Sequence, residues 1–281
     1  MIEGVVEPIL IQIQKTGDQM INDSMHFTIQ EYSNGSFKDK EIQSILEIPL
    51  TINLNGREVV TLLTTSKFPN YLAVGFLKSD AYISSLDQIT DLKITESPDR
   101  IVADVTVTHD PWKGRVLEYS ITSGCGKGTN FGRNVSTVSK RSIKSALKVT
   151  PEQILSHATE LHARSTLYGK TRGCHNSSLC TPEKMLYFRE DIGRHNAIDM
   201  IVGQCFLEEV PTDGKMIVST GRVASEILLK TVRIGVPILA STAVATSFSV
   251  ELARKIGITL IGNISDTGFW VYNDQGRIQG L

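Results

Sequence analysis

No stretch of this 281-residue sequence reaches the run of about 18 apolar residues that a membrane-crossing helix requires. The nearest approach, Pro237 to Ala253, is broken repeatedly by Ser and Thr. The start, Met1-Ile2-Glu3-Gly4, has neither the basic residues nor the apolar core of a secretion signal. These absences predict a cytoplasmic protein with no membrane segment. A charge excess is missing too: 29 Lys and Arg face 30 Asp and Glu, which argues against nucleic acid as a partner, since that affinity comes from many basic contacts to phosphate. Repeats and low-complexity tracts are absent. Cysteine is scarce, at Cys125, Cys174, Cys180 and Cys205, and the spacing matches no paired-ligand pattern, so no metal site is expected. In a reducing compartment each thiol is an apolar filler, a ligand or a reactive group. Cys180 and Cys205 read as packing, while Cys174 and His175, as neighbours on a strand, should point to opposite faces.

What is present suggests two domains, since 41% hydrophobic residues can build two modest cores. Residues 1–46 read as irregular, with a weakly alternating piece at Val5 to Ile13 and another, Phe27 to Tyr32, that ends at Asn34-Gly35. From Glu47 the pattern sharpens. Ile48, Leu50, Ile52 and Leu54 alternate, Asn55-Gly56 supplies a tight turn, and Val59 to Leu63 returns, which predicts a β-hairpin. Pro69 opens a helix with Leu72, Ala73, Phe76 and Leu77 on one face, and strands follow at Leu92 to Thr95 and Ile101 to Val107. Residues 1–121 are therefore expected to form a small α+β domain, and 122–149 a glycine-rich loop and linker. Thr150-Pro151-Glu152-Gln153 is a helix start with a capping box, and that helix should run to about Leu167. Strands and helices then alternate through 150–281, which predicts an α/β domain with helices on both faces of a partly parallel sheet.

The densest chemistry lies in Tyr187-Phe188-Arg189-Glu190-Asp191-Ile192-Gly193-Arg194-His195-Asn196-Ala197-Ile198-Asp199, with six Arg, Glu, Asp and His side chains in thirteen residues. A strand ending near Phe188 and a helix with apolar Ala197, Ile198, Ile201, Val202, Cys205 and Phe206 put this cluster at a strand-to-helix junction. There, backbone N-H groups with Gly193, Arg194 and His195 make an anion site; the plain alternative is a salt-bridged helix entrance. Gly221-Arg222 repeats the arrangement after the strand Met216 to Ser219, although Glu226 and Lys230 in the following helix also read as an ordinary i,i+4 pair. The hairpin Gly262 to Gly268, with Asn263, Ser265, Asp266 and Thr267, either closes over a ligand or is a solvent turn. Cys125 sits in Thr122-Ser123-Gly124-Cys125-Gly126-Lys127-Gly128, where no apolar neighbour buries the sulfur and Lys127 favours its thiolate. That setting favours a functional thiol over the plain alternative of a surface cysteine.

With these motifs assembled, the chain resembles the formate dehydrogenase accessory sulfurtransferase family, the FdhD/NarQ-like proteins. The resemblance runs through Glu47-Ile48-Pro49-Leu50, Leu72 to Leu77, the Cys125 loop, Gly173-Cys174-His175, Arg189 to Asp199, Gly221-Arg222 with Glu226 and Lys230, Val250 to Ala253, and Thr259 to Gly262. It implies a cytidine-deaminase-like three-layer C-terminal domain, 150–281, preceded by the smaller domain. The deaminase zinc signature is absent, so deamination is not implied. What the resemblance does imply is a sulfurtransferase acting through a persulfide on Cys125. Its sulfur donor is a cysteine desulfurase, and its acceptor is the molybdenum or tungsten bis(molybdopterin guanine dinucleotide) cofactor, before delivery to the formate dehydrogenase catalytic subunit. The guanine nucleotide moiety is expected at Asn263, Ile264, Ser265, Asp266, Thr267 and Gly268, near Arg194, His195, Gly221 and Arg222, in a homodimer. Gly128 stands where many members carry a second loop cysteine, so Lys127, Cys174 and His175 are auxiliary candidates. Met200, Ala224 and Ala245 also depart from the usual pattern. A noncatalytic cofactor chaperone is the alternative.

Overall fold

The computed structural model describes residues 11–15, 22–113, 120–121, 127–128 and 142–281. In chain order the first strands are β1 (Ile11–Lys15), β2 (Ser24–Ser33), β3 (Ser36–Ile45), β4 (Ile48–Leu54) and β5 (Arg57–Thr64). Helix α1 (Pro69–Ser79), β6 (Ile89–Ser97), β7 (Arg100–Val107), β8 (Ser120–Ile121) and β9 (Lys127–Gly128) come next. Then follow α2 (Pro151–Arg164), α3 (Thr166–Thr171), β10 (His175–Cys180), β11 (Met185–Asp191) and α4 (Arg194–Leu207). The chain closes with β12 (Met216–Ser219), α5 (Ser225–Arg233), β13 (Ile238–Ser241), α6 (Ser247–Ile256), β14 (Thr259–Gly262) and β15 (Trp270–Asn273).

The expected hairpin is β4 and β5, turning through Asn55 at φ 49° and Gly56 at φ 75°, the paired left-handed conformations a two-residue turn needs. It joins a five-stranded sheet in the order β1-β6-β7-β4-β5, whose apolar face packs on α1 through Leu50, Ile52, Ile94 and Ala103 against Leu72, Phe76 and Leu77. The larger sheet has the order β11-β10-β12-β13-β14-β15, with β12, β13 and β14 parallel and the outer strands antiparallel. Successive residues on its strands feed opposite cores. Met216, Val218, Ile238 and Ala240 pack with Ile154 and Leu161 of α2. Ile217, Leu239 and Leu260 pack with α4, α5 and α6. The unit is thus layered as helix, sheet, helices, in a mixed α/β fold. Among the described residues no helix is long and apolar enough to cross a membrane.

Helix α4 is buried on nearly every side rather than along one apolar face, with Asn196 to Cys205 all buried. It lies between the two sheets. Ile198, Ile201 and Val202 face the larger one and Met200 joins the core of the smaller one. Gly75 of α1 and Gly203 of α4 make the crossing a backbone contact. A Cβ at Gly75 would sit 1.8 Å from the Asp199 carbonyl oxygen, and one at Gly203 1.9 Å from that of Tyr71, so only glycine fits either position.

Several expectations need correction. Residues 24–45 are not irregular: β2 and β3 pair over their whole length around Asn34-Gly35. The turn signal was present, but β3 is largely exposed and carries too few apolar residues to show a buried face. The helix capped by Thr150 ends at Arg164, where Ser165 leaves the helical conformation before the short α3. Its capping box is present as expected, with Gln153 N–H donating to Thr150 Oγ1 at 3.2 Å and Thr150 N–H to Gln153 Oε1 at 2.9 Å. The strand expected to stop at Phe188 runs on to Asp191, because the charged side chains that suggested a loop are satisfied within the fold. The last part of the expected linker is tied down too: Arg277 donates to the carbonyls of Ile143 and Gly257 at 2.9 and 2.8 Å, and Val149 pairs with Ile278.

Candidate functional site

The strand directions place the charged motif, Cys174-His175, Gly221-Arg222 and Asn263 to Gly268 at one end of the larger sheet. β12, β13 and β14 run parallel, so Thr220-Gly221-Arg222, Thr242 to Thr246 and Asn263 to Gly268 all leave from their carboxyl ends. β10 starts at that end and β11 finishes there, since His175 pairs with Asp191. In open α/β sheets this edge is where ligands bind. A continuous set of contacts joins the motifs. Asn263 N–H donates to the Ala243 carbonyl at 2.9 Å, and Ile264 N–H to that of Ser241 at 3.2 Å. Ser241 Oγ donates to the Gly221 carbonyl at 2.7 Å. Gly221 in turn accommodates Arg194: a Cβ there would lie 2.8 Å from the Arg194 Cβ.

The thirteen-residue motif divides into two sets of side chains. Arg189 stacks its guanidinium 4.0 Å from the Phe68 ring centroid and donates to Gln204. Glu190 accepts from Lys67 at 3.2 Å and Ser165 at 3.3 Å. Asp191 is fully buried. One of its oxygens accepts from the Thr64 hydroxyl at 2.6 Å and the Thr65 N–H at 2.9 Å, the other from the Gly193 N–H at 2.9 Å and Asn196 at 2.8 Å. Asp199 takes Lys230 at 2.6 and 2.8 Å and the Ser79 hydroxyl at 2.6 Å. Lys230 therefore pairs across helices with Asp199 and not with Glu226 on its own helix. These four side chains tie this junction to the elements around it, Glu190 and Asp199 through ion pairs and Arg189 and Asp191 through uncharged partners.

Arg194 and His195 form the second set. Buried Nε and Nη2 of Arg194 have no hydrogen-bond partner, donors an anion would satisfy. Burial, then the charges of Lys230 and Arg194, hold His195 down at about 3, so the imidazole is neutral throughout the physiological range and offers an N–H donor without charge. Burial and the adjacent Arg194 also push His175 below the usual histidine value.

Beside this set is a cavity of about 360 Å³ lined by His162, Tyr168, Arg172, Gly173, Cys174, His175, Asn176, Thr220 and Thr242. Cys174 and His175 both border it, contrary to the expectation of opposite faces, because β10 begins at His175 and Cys174 precedes the regular alternation. Burial and then the Glu190 carboxylate push the Cys174 thiol up to about 11. Alkylation of Cys174 in a Cys125→Ser background is therefore expected to be slow at neutral pH and to rise about tenfold per pH unit through pH 9. A rate that levels off near pH 8, followed by peptide mass mapping, would show a depressed thiol instead. Cys180 and Cys205 lie in the apolar cores, as expected. Among the described residues no group of three or more His, Cys, Asp or Glu side chains gathers to hold a metal ion.

Within the hairpin, Ser265, Asp266 and Thr267 are exposed, Asn263 and Gly268 are partly buried, and Ile264 turns into the core beneath α2. Arg222 is exposed on the same edge. Cys125 lies outside the described residues. Lys127 belongs to β9, which pairs with β8 on the other side of Cys125 in sequence. The residues not anticipated are His162, Tyr168, Arg172, Asn176, Thr220 and Thr242. Two of them had a usable signal: Thr220 and Thr242 each follow a parallel strand by one residue, where the carboxyl-end rule places ligand contacts.

The sequence model of the FdhD/NarQ family matches residues 45–279. A sulfur carrier protein FdhD of Geobacillus kaustophilus is 35% identical over 89% of this chain and 95% of its own length. That of Staphylococcus haemolyticus is 36% identical over 90% and 96%. The crystal structure of a Desulfotalea psychrophila protein, described as a formate dehydrogenase accessory protein, superposes with a TM-score of 0.74 over 91% of this chain and 99% of its own, at 23% identity. That likeness speaks to the fold, while the extent and identity of the sequence matches decide the lineage: the chain belongs to the FdhD/NarQ family.

Proposed function

We propose that this protein is a sulfur carrier for formate dehydrogenase. The observation that carries the reading is its identity, over about nine-tenths of the chain, to relatives named sulfur carrier protein FdhD. In this reading the Cys125 thiolate attacks the outer sulfur of a cysteine desulfurase persulfide, the donor S–S bond breaks, and the donor cysteine leaves as a thiolate. Lys127 favours the attacking thiolate, and the flanking glycines give both partners access. The sulfur then passes to the molybdenum or tungsten bis(molybdopterin guanine dinucleotide), held as substrate before it enters the formate dehydrogenase catalytic subunit. Cys174, a protonated thiol at rest, is at most a second station.

The edge that gathers Arg194, His195, Gly221, Arg222 and Asn263 to Gly268 receives the guanine nucleotide end, with Arg194 donating to phosphate. Residues 150–281 act as the cytidine-deaminase-like unit, 1–121 as the smaller one and 122–149 as the segment bearing Cys125, in a cytoplasmic homodimer. Guanosine diphosphate titrated calorimetrically into the full chain should bind, and Arg194→Gln should weaken it about 10- to 100-fold, the worth of a charged hydrogen bond. Equal affinity in the variant would remove Arg194 from the site, and no heat with wild type would remove the nucleotide.

A further inference from the structure

The cavity beside Arg194 and His195 shares no lining residue with the set that receives the nucleotide. Its mouth and its floor differ in kind. His162, Tyr168 and Arg172 stand exposed at the mouth, where the Arg172 guanidinium lies 5.5 Å from the Tyr168 ring centroid. The floor is neutral. Asn176 is 1% exposed; its Oδ1 accepts from the Ser165 hydroxyl at 3.0 Å, and its Nδ2 has no partner among the described residues. Thr220 and Thr242 follow the adjacent strands β12 and β13. Burial and Arg194 keep His175 uncharged at neutral pH. No carboxylate lines the space.

That division selects the occupant. A bare oxyanion would sit at the cationic mouth and leave the buried amide unsatisfied. A cation would meet Arg172 and no counter-charge. A flat heterocycle with an anionic tail suits both parts. Its ring nitrogens and oxygens meet Asn176, Thr220 and Thr242, its face meets Tyr168, and its tail reaches Arg172. The volume of about 360 Å³ admits a two-ring system.

We propose that this cavity receives the pterin ring of the substrate, while the neighbouring hairpin holds the guanine nucleotide end. The identity of the ring rests on the sulfur-carrier reading. Position supports the assignment. The cavity lies over the start of β10 and the ends of β12 and β13, and the hairpin leaves β14, the next strand. Arg194, with its unpartnered donors, packs on Gly221 at the end of β12. One extended molecule thus spans the edge, with its ring in the cavity and its phosphates at Arg194. Cys174, in the cavity wall, then stands at the pterin end of the substrate and not at its nucleotide.

Pterin-6-carboxylate, a fluorescent two-ring system with an anionic tail, tests this when titrated into the full chain with and without saturating guanosine diphosphate. It should bind with similar affinity in both cases. Tyr168→Ala should weaken it about tenfold, the worth of stacking on one aromatic ring. Thr242→Val should weaken it about 3- to 10-fold, the worth of a neutral hydrogen bond. Arg194→Gln should show the converse pattern, with guanosine diphosphate weakened and the pterin unchanged. Pterin-6-carboxylate that does not bind, that guanosine diphosphate displaces, or that binds both cavity variants as tightly as wild type would each overturn the inference. Loss of nucleotide binding alone would remove the nucleotide site and leave the cavity assignment standing.

Discussion

Lys230→Met is expected to destabilise the fold by about 3–5 kcal/mol, the cost of removing one partner from a buried ion pair. Lys230 and Asp199 are 8% and 1% exposed, and Nζ lies 2.6 and 2.8 Å from the two carboxylate oxygens. With Lys230 gone, Asp199 keeps, among the described residues, the Ser79 hydroxyl at 2.6 Å. Thermal unfolding should fall by about 5–8 °C for a chain of this size. Asp199→Leu/Lys230→Met should recover much of that loss, because an apolar pair leaves no unpaired charge. The pH dependence has a definite sign. Burial raises the Asp199 pKa, with Lys230 and Ser79 opposing, and removing Lys230 raises it further. An acid whose folded-state pKa lies above its unfolded value contributes stability below the unfolded value and loses it as pH rises through the folded one. The deficit of Lys230→Met should therefore shrink as pH drops below neutrality. A deficit that grows on acidification, or a double variant no better than the single, would refute a buried pair. The effect reaches beyond one contact, since Ser79, Asp199 and Lys230 belong to α1, α4 and α5.

Cys125→Ser is expected to abolish sulfur loading altogether. Incubation with a cysteine desulfurase and cysteine, read by intact mass, should add sulfur to the wild type and none to the variant, because a serine oxygen cannot form a persulfide. Cys180 and Cys205 cannot substitute, since burial pushes both up to about 12 within apolar cores. Cys174→Ser should load like the wild type at the first step and, if Cys174 is a second station, lose only delivery to the acceptor. A sulfur adduct that survives in Cys125→Ser would move the carrier elsewhere, and peptide mapping would say where.

Much of the secondary structure was legible because its signals are local. Asn55-Gly56 between alternating strands, Thr150 with Gln153, and strand Thr259 to Gly262 each depend on neighbours a few residues away, and each stands where expected. The ribbon at 24–45 escaped because an exposed strand has no buried face to give it a period. The charged motif was legible as a dense cluster at a strand-to-helix junction but not as a division of labour. Nothing in Arg189 to Asp199 tells that Asp191 serves Thr64 and Thr65, more than a hundred residues earlier, while Arg194 keeps donors without a partner.

By itself the sequence determined most of the succession of strands and helices after residue 46, the glycine-rich neighbours of Cys125 in the chain, and a set of motifs specific enough to point to one family. Those properties come from short-range backbone preferences and from residue chemistry that needs no partner. Only the tertiary structure decided that α4 is enclosed between two sheets, that Lys230 answers Asp199 instead of Glu226, and that Cys174 and His175 border one cavity with Thr220 and Thr242. Each of those depends on which distant segments the packing of two sheets brings together. Burial then sets the cost of leaving a charge alone, and so separates side chains paired within the fold from those, such as Arg194, that keep donors without a partner.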